Sequence, residues 1–408
     1  MKKFKRFIVP SLTLLGASQV PCTVAEVAEE LKTYFDKGTI SGNIRAYYNT
    51  RDYEVKTDEA AFSLGGALRA ETAPMGIVSL GVGFYTAQDL GTNDEDPAKV
   101  NGRLGSELEV LGEAYVKLSK SGHTARAGRI RIETPFANSG DAFIVPFAFE
   151  GWAYKYNSSD KLTFEVDYIN AIKNRNSDQF VDVGIWSSNQ FGIAEAQATS
   201  ATVNLGATYK GDGYKLEAWG ASYADFYNQL YLYGDYAFGG SDQIKPFIGV
   251  QFGMQQDSGD ALLGDVESSI YGVNAGAAMG DFKVTLALNS VPDDEESYRN
   301  GAFLSPYTFS TSPLFTNNML QTFENVDAGS AQKVTLNFNP TSQLAMKLSF
   351  ATFDFDQVVD RDAVDADVTY KFANYLKGLS LRWRLEVVTS DDENVEQTNM
   401  RFQTQYVF

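Results

Sequence analysis

Residues 42–51 read GNIRAYYNTR, a stretch in which apolar or small side chains alternate with polar ones. Ile44, Ala46 and Tyr48 form the first class, and the positions between them carry asparagine, arginine or tyrosine. Because successive side chains of a β-strand point to opposite faces, this stretch predicts a strand with one apolar face and one polar face.

The same alternation recurs along the whole chain, and each recurrence predicts a strand of about ten residues. Tight turns, such as 119–122 and 280–281, alternate with long polar connections, such as 171–200 and 291–330. The eighteen predicted strands are 40–51, 60–72, 76–87, 108–118, 123–133, 150–157, 161–170, 201–210, 214–223, 229–238, 243–254, 268–279, 282–290, 331–338, 343–354, 362–372, 379–389 and 397–408.

The sequence predicts an all-β fold, a transmembrane antiparallel β-barrel of 18 strands with short periplasmic turns and long external loops. The evidence is the alternation of short turns with long loops and the even number of strands. A water-soluble β-sandwich would account for alternation within single strands, but not for loop lengths that alternate along the whole chain. In a bilayer, lipid covers the apolar outer face and water fills the polar interior.

The first residues carry an export signal. Residues 1–25 have a basic head, MKKFKR, followed by a short apolar core and small residues, which is typical of a secretory signal peptide. Cleavage is expected after Ser18 or Ala25. We assign 26–39 to a short N-terminal periplasmic segment and 40–408 to the barrel, and we expect the protein in the outer membrane of the cell.

Composition argues against several other functions. The formal net charge of -18 disfavours nucleic acid as a partner, since phosphates require a basic face. Cys22 is the single cysteine and falls in the predicted signal peptide, and His123 is the single histidine. Acidic runs at 94–96, 293–296 and 354–367 are more often solvated than bound to calcium. We therefore predict no catalysis, no cofactor and no metal site.

The C-terminal strand carries aromatic side chains in the apolar phase. This pattern resembles the C-terminal recognition signal of bacterial outer-membrane proteins, which the barrel-assembly machinery binds. The expected assembly signal consists of Phe402, Tyr406 and Phe408. Membrane lipid and lipopolysaccharide are the other expected partners besides small solutes, and the sequence leaves open whether the barrel is a monomer or a trimer.

Residues 122–152 contain an arginine-bearing strand, a compact apolar loop between Pro135 and Pro146, and a returning aromatic strand. The loop is too apolar to extend into water, so it should fold inward. Within this stretch, RAGRIRIETPFANSGD at 126–141 and VPFAFEG at 145–151 resemble the signature region of the OprD family of outer-membrane porins. The resemblance implies eighteen strands and a third external loop that folds into the lumen.

A set of arginines with inward phase comes together when the last strand pairs with the first. The set consists of Arg45, Arg69, Arg382, Arg384 and Arg401. It resembles the basic ladder by which the family conducts carboxylate-bearing solutes, since guanidinium groups in series offer several comparable weak sites. Alternatively, these arginines fill a wet lumen and pair with Asp365, Asp367 and Glu386.

The inward loop should narrow the pore. We assign the constriction to Arg129, Arg131, Glu133, Asp141 and Phe143. In this assignment Ile130 and Ile132 take the lipid side. Arg126 then has the lipid phase, and either it lies at the periplasmic rim or a bulge near Gly128 shifts the register. We assign an opposing acidic wall to Glu165, Asp167, Asp365 and Asp367. A basic seam that faces an acidic wall would favour solutes with separated carboxylate and amino groups, such as amino acids or short peptides.

The sequence thus predicts a channel for passive, substrate-selective diffusion of small water-soluble solutes that bear a carboxylate, such as amino acids, short peptides or organic acids. One alternative is a general porin that selects by size and charge. Another is a structural or adhesive surface barrel with a closed lumen.

Overall fold

A computed structural model describes residues 32–408, apart from 141–142, 240–243, 308–311 and 374–375. The described residues contain nineteen strands and a few short helices. The strands are β1 (Thr39–Tyr53), β2 (Glu59–Glu71), β3 (Val78–Gln88), β4 (Leu108–Lys120), β5 (His123–Ile130), β6 (Ala148–Asn157), β7 (Leu162–Lys173), β8 (Phe180–Asp182), β9 (Thr202–Lys210), β10 (Tyr214–Tyr223), β11 (Tyr227–Ala237), β12 (Lys245–Asp257), β13 (Glu267–Met279), β14 (Phe282–Val291), β15 (Gly329–Phe338), β16 (Leu344–Phe355), β17 (Arg361–Lys371), β18 (Leu379–Thr389) and β19 (Gln397–Val407). The helices are α1 (32–36), α2 (Val183–Phe191) and two 3-10 turns, Pro97–Lys99 and Tyr298–Gly301.

The strands form one antiparallel sheet that closes on itself. β1 pairs with β2 on one side and with β19 on the other, where Asn43 lies opposite Val407 and Tyr53 opposite Gln397. β8 pairs only with the end of β7, and β7 pairs directly with β9. Eighteen strands therefore make the wall, which confirms the predicted 18-stranded antiparallel barrel. A three-residue strand such as β8 is too short to show alternation in the sequence.

The burial pattern of β1 is that of a barrel with an apolar exterior. Ile44 and Tyr48 are 54% and 41% exposed, whereas Arg45 and Tyr47 between them are 2% and 3% exposed. In a water-soluble protein, charged side chains are normally exposed and apolar ones buried. The opposite pattern here indicates that the outer face of the wall is apolar and that charged side chains point into the barrel.

Among the described residues, none of the helices has the length and hydrophobicity needed to cross a membrane.

Short turns connect the strands at one rim, here called the turn side, and longer loops connect them at the other, here called the loop side. The N-terminal residues lie at the turn side, where the amide of Ala73 donates to the carbonyl oxygen of Tyr34 at 2.9 Å. The predicted signal peptide lies outside the described residues. Its cleavage and the extent of the periplasmic segment stay predictions.

The interior of the barrel holds a core built from loops. We call residues 131–147 the constriction loop. Its Phe136 packs against Tyr231 of the wall and against Phe303, with ring centroids 5.0 and 5.7 Å apart. Phe303 belongs to the connection 292–328, which follows β14 and lies partly inside the lumen. α2 packs there as well, since Trp186 Nε1 donates to the carbonyl oxygen of Pro306 at 2.8 Å.

Strand β5 ends earlier than the sequence predicts, at Ile130 instead of residue 133. Ile130 and Ile132 are 0% and 2% exposed and belong to an interior cluster that includes Phe147 and Phe149. The prediction that these isoleucines face lipid was therefore wrong. The inward loops form an apolar environment inside the barrel at this point. An apolar side chain can therefore face the interior, and the alternation of apolar and polar residues no longer tells which side faces lipid.

Candidate functional site

The constriction loop is held against the wall by one of the predicted ladder residues. Arg45 Nη1 of β1 donates to the carbonyl oxygen of Phe143. Phe143 itself is 9% exposed, and Ile144 and Val145 next to it pack in a cluster with Tyr47 and Tyr85 of the wall. The loop therefore crosses the lumen beside β1 to β3, and it is fixed there by polar and apolar contacts together.

Two arginines from other loops enclose the Phe143 ring. The guanidinium carbons of Arg103 and Arg175 lie 4.5 and 4.3 Å from the ring centroid, a distance at which cations are attracted to an aromatic face. Arg175 is buried and Arg103 is half-buried. Burial, followed by the positive charge of Arg401, lowers the pKa of Arg175 to about 9 and also lowers the pKa of Arg103. These guanidinium groups are therefore short of negative charge.

A cavity of about 360 Å³ opens above Phe143 toward the loop side. Arg51, Arg103 and Arg175 line it together with the amides of four other residues and the aromatic rings of Phe143 and Trp186. The four amides belong to Asn174, Gln190, Gln321 and Gln397. None of the described residues that line this cavity carries a carboxylate. We call it the upper cavity.

A second cavity of about 300 Å³ lies on the turn side of the constriction loop. Arg45, Arg69 and Arg131 line it, along with Ile144 and Pro146 of the loop. No described residue of its lining has an acidic side chain. We call it the lower cavity. Residues 143–146 thus separate two arginine-lined spaces, and a solute that crosses the barrel meets guanidinium groups on both sides of the narrowing.

The five arginines of the predicted ladder lie on four neighbouring strands, β18, β19, β1 and β2. Arg384 lies opposite Arg401 in the register of β18 and β19. Arg401 is 2% exposed, and its Nε donates to Asn399 Oδ1 at 2.8 Å. The structure therefore places the five residues on one wall. Whether they carry solutes stays a prediction.

Several ladder arginines already have carboxylate partners. Arg382 Nε donates to Asp367 Oδ1 at 2.9 Å, and Arg384 Nε lies 3.3 Å from Asp367 Oδ2. Arg69 Nε lies 2.5 Å from Glu113 Oε1. The alternative of pairing with acidic residues thus holds for Arg382 and Arg384 with Asp367, whereas Arg69 pairs with Glu113, which the sequence did not single out. An anion would meet less net positive charge there than in the upper cavity.

Two residues of the predicted acidic wall lie beside the arginines. Asp367 lies opposite Arg384, and Asp365 lies opposite Glu386, because β17 and β18 are adjacent strands. Their placement on an opposing wall was therefore wrong. Asp365 also bonds Lys347, whose Nζ lies 2.8 Å from Oδ2.

The other two acidic residues lie on β7, six strands from β1. Glu165 pairs with Lys155 at 2.7 Å, and Asp167 is 4% exposed. They face the lumen from a distant part of the wall, as the alternation of β7 predicts.

The constriction residues divide into several groups. Arg131 lines the lower cavity and its Nη2 lies 3.2 Å from Glu133 Oε1. Arg129 lines neither cavity; its Nε lies 2.8 Å from Glu150 Oε1 in a crevice of the outer face. The prediction that Arg129 faces the lumen was wrong. Because the neighbouring Ile130 points into the apolar interior, the side chain of Arg129 points to the outer face. Asp141 lies outside the described residues.

Arg126 does not have the lipid phase that the predicted register gives it, and its position agrees with the alternative of a shifted register. It lies opposite Lys117 of β4 and Ala153 of β6 in the sheet register. Lys117 pairs with Glu71 at 2.5 Å, and Ala153 belongs to the interior cluster, so this row of side chains faces the lumen.

Three arginines near the constriction were not predicted as functional residues. Arg51 shares the phase of Arg45 on β1, so the alternation alone could have identified it. Arg103 and Arg175 come from loops, where no periodicity relates a side chain to the lumen. Their position depends on how two loops fold inward.

The aromatic residues of the C-terminal strand lie on the outer face. Phe402 and Phe408 are 54% and 46% exposed, and the rings of Tyr406 and Phe408 stack with centroids 6.1 Å apart. Their exposure is consistent with the phase read from the sequence, and their role in assembly stays a prediction.

We expect the double substitution Arg382→Ala with Arg384→Ala to shift ion selectivity toward cations. It leaves the Asp367 carboxylate without its two partners, so the wall gains net negative charge. The reversal potential of a planar bilayer in a salt gradient measures the shift. Adding Asp367→Asn should return the potential close to that of the unsubstituted protein. An unchanged potential in the double variant would contradict a lumenal role for these groups.

Comparison with known proteins shows which family this barrel resembles in sequence and fold. A model of the OprD family, described as outer membrane porins, matches residues 32–408. None of the curated proteins matches the sequence. Among solved structures, the fold is similar to OccAB3 of Acinetobacter baumannii, with 20% identity, a TM-score of 0.78 and coverage of 91% of this chain and 99% of that one.

Two structures from Pseudomonas aeruginosa are similarly close. OpdK with vanillate has 17% identity and a TM-score of 0.78, and OccK2 in complex with glucuronate has 16% identity and a TM-score of 0.76. Each alignment covers 92% of this chain and 99% of the other. With a family match over nearly the whole described chain, a closed barrel of eighteen wall strands and a narrowed lumen, the protein belongs to the OprD family of outer-membrane porins.

Proposed function

We propose that this porin is a passive channel selective for small water-soluble solutes that carry a carboxylate. The observation that carries the proposal is the lining of the two cavities on either side of Phe143. Each contains three arginines, and no described residue of either lining has an acidic side chain. No chemical step is involved, and the solute moves down its concentration gradient.

Several N–H groups of the arginines that line the upper cavity have no hydrogen-bond acceptor within the described chain. Nε and Nη1 of Arg175, together with Nε of Arg103, are buried without a hydrogen-bond acceptor. Burying a cation without a hydrogen-bond partner costs free energy. A carboxylate that enters the cavity would accept hydrogen bonds from several of these N–H groups at once. Part of that cost is relieved when the solute binds, so the upper cavity favours anions over neutral molecules of the same size.

The chemistry of two related structures supports this choice of solute. Vanillate, in the OpdK structure, and glucuronate, in the OccK2 structure, are both carboxylates. Neither molecule is assigned to this chain. They show that carboxylates of this size are compatible with barrels of the same fold.

Liposome swelling tests the proposal. Proteoliposomes should swell faster in glucuronate than in glucuronamide, which has the same carbon skeleton without the charge. Equal rates for the two would favour the general porin, which selects chiefly by size. No swelling with any solute from correctly folded protein would favour the closed structural or adhesive barrel.

A further inference from the structure

The wall of the barrel has a seam between β4 and β5. Pairing of these strands ends where Ala114 lies opposite Arg129. β4 continues for six residues, from Glu113 to Leu108, and in this part it pairs with β3 on one edge only. Among the described residues, no strand pairs with the other edge. Backbone groups at a free edge need polar partners, and hydrocarbon cannot supply them.

Arg129 bridges the lower end of this seam. Its Nη1 donates to the carbonyl oxygen of Leu111 on β4 at 3.1 Å, and its Nε donates to Glu150 on β6 at 2.8 Å. The guanidinium carbon also lies 4.3 Å from the ring centroid of Phe180 on β8. One arginine therefore satisfies one of the free carbonyl groups and connects three strands.

A crevice of about 480 Å³ opens at this place on the outer face. Its apolar lining includes Leu111 and Trp152, which are 45% and 43% exposed, and Tyr168, whose ring stacks parallel to that of Trp152 at 5.9 Å. Its polar lining includes the Arg129–Glu150 ion pair and Asn170. The volume lies within the range of protein sites that hold small ligands.

The crevice lies in the outer half of the membrane. Arg129 follows the turn at Gly122 by seven residues. At about 3.3 Å per residue and a strand tilt of 35–45°, this corresponds to a height of roughly 18 Å, above the middle of the ~25 Å apolar band of such barrels. In an outer membrane this half of the bilayer consists of glycolipid.

The charges of the crevice favour a neutral polar group. Arg129 and Glu150 neutralise each other, so the site offers hydrogen-bond donors and acceptors with no net charge. Sugar hydroxyl, ester and amide groups match such a site, whereas a free carboxylate or phosphate would meet Glu150. The aromatic pair and Leu111 match an alkyl chain.

We propose that this crevice binds one glycolipid of the outer leaflet, with its alkyl chain against Trp152 and Tyr168 and its neutral polar groups at Arg129, Glu150 and the free edge of β4. The bound lipid completes the wall where strand pairing is missing. The site is separate from the lumenal arginines, and the proposal does not depend on which solute the channel conducts.

Tryptophan quenching by a detergent of matching chemistry tests the proposal. The probe is dodecyl maltoside brominated on its alkyl chain, which has a neutral sugar head and quenches tryptophan on contact. The chain has four tryptophans, of which Trp186 and Trp219 are buried at 8% and 7% exposure. Trp383 lies opposite the exposed Phe402, so it reports the ordinary lipid-facing surface. Trp383→Phe isolates the signal of Trp152, and Trp152→Phe isolates that of Trp383.

Protein equilibrated with the brominated probe is diluted into the unbrominated detergent, and the recovery of fluorescence is followed. We expect Trp152 to recover at least about tenfold more slowly than Trp383, which corresponds to a retained molecule. Arg129→Met should abolish the slow recovery, whereas Lys155→Met, which removes an ion pair elsewhere on β6, should preserve it. Equal recovery at the two tryptophans would overturn the proposal.

Two further measurements keep the result interpretable if Arg129→Met fails to fold. Leu111→Phe fills part of the crevice without removing the ion pair or adding a tryptophan, and it should also abolish slow recovery. Native mass spectrometry should show one retained maltoside per barrel. Slow recovery that coincides with association of two or more barrels would show instead that the crevice is a subunit interface, and would overturn the lipid site. Tighter retention of a brominated fatty acid than of the maltoside would overturn the neutral head group.

Discussion

Replacing Arg103 and Arg175 together by glutamine should weaken binding of a carboxylate solute by about tenfold to a hundredfold. Hydrogen bonds to a charged group contribute about 1.5–3 kcal/mol, and the double variant removes both charges that enclose Phe143 in the upper cavity. The concentration of glucuronate that blocks half of the single-channel current measures the change. The same variant should also shift ion selectivity toward cations, since two positive charges leave the lumen.

The matched control is Lys215→Gln. Lys215 pairs with Glu217 at 2.6 Å on β10, and it lines neither cavity. Its removal should leave the block by glucuronate nearly unchanged. Equal effects of the control and the double variant would show that only the overall charge of the barrel matters, and that the upper cavity is no binding site.

Phe143→Ala should raise the single-channel conductance severalfold. Phe143 lines the upper cavity and belongs to the segment 143–146 that separates it from the lower one, and removal of the ring also releases two guanidinium groups that it attracts. Arg45 still holds the backbone through the carbonyl oxygen of residue 143, so the loop should keep its path while the passage widens. Conductance in symmetric salt is the direct measurement.

Phe143→Leu distinguishes the two effects of the ring. Leucine keeps most of the bulk and cannot attract a cation through a π face. If steric closure dominates, conductance of this variant stays close to that of the unsubstituted protein. A conductance as high as that of Phe143→Ala would show that the ring acts by holding the arginines in place. No change in either variant would contradict the placement of Phe143 at the narrowing.

The barrel itself could be predicted because its physical requirement extends over the whole chain. Every wall strand needs an apolar face toward lipid, so a two-residue period repeats from β1 to β19 and the phase of Arg45 or Arg401 follows from it. The position of these arginines on one wall follows in turn from closure of the sheet. Interior contacts of the same arginines, such as that of Arg45 with Phe143, have no such signal.

The prediction of which side chains face the lumen failed where loops, and not water, fill the interior of the barrel. At Ile130 and Ile132 an apolar side chain faces other protein instead of lipid, so the rule that assigns apolar residues to the outside gives the wrong answer. Arg129 was misplaced for the same reason, and its partner Glu150 belongs to another strand. Loop residues such as Arg103 were not predicted at all, since their position depends on tertiary packing that leaves no local pattern.

Adjacency also explains the acidic residues. Asp365 and Asp367 have the inward phase that the sequence predicts, but phase does not tell which wall a residue belongs to. Strand order does, and two consecutive strands of an antiparallel barrel are always neighbours. Asp367 therefore pairs with Arg382 and Arg384 and reduces the net charge of that part of the ladder.

The most direct test of carboxylate selectivity is single-channel recording with glucuronate and glucuronamide added in turn to the same membrane. We predict that glucuronate blocks the current in a saturable manner and that glucuronamide at the same concentration does not. Equal block by the two molecules would contradict the proposal that the arginines around Phe143 form a site for carboxylates.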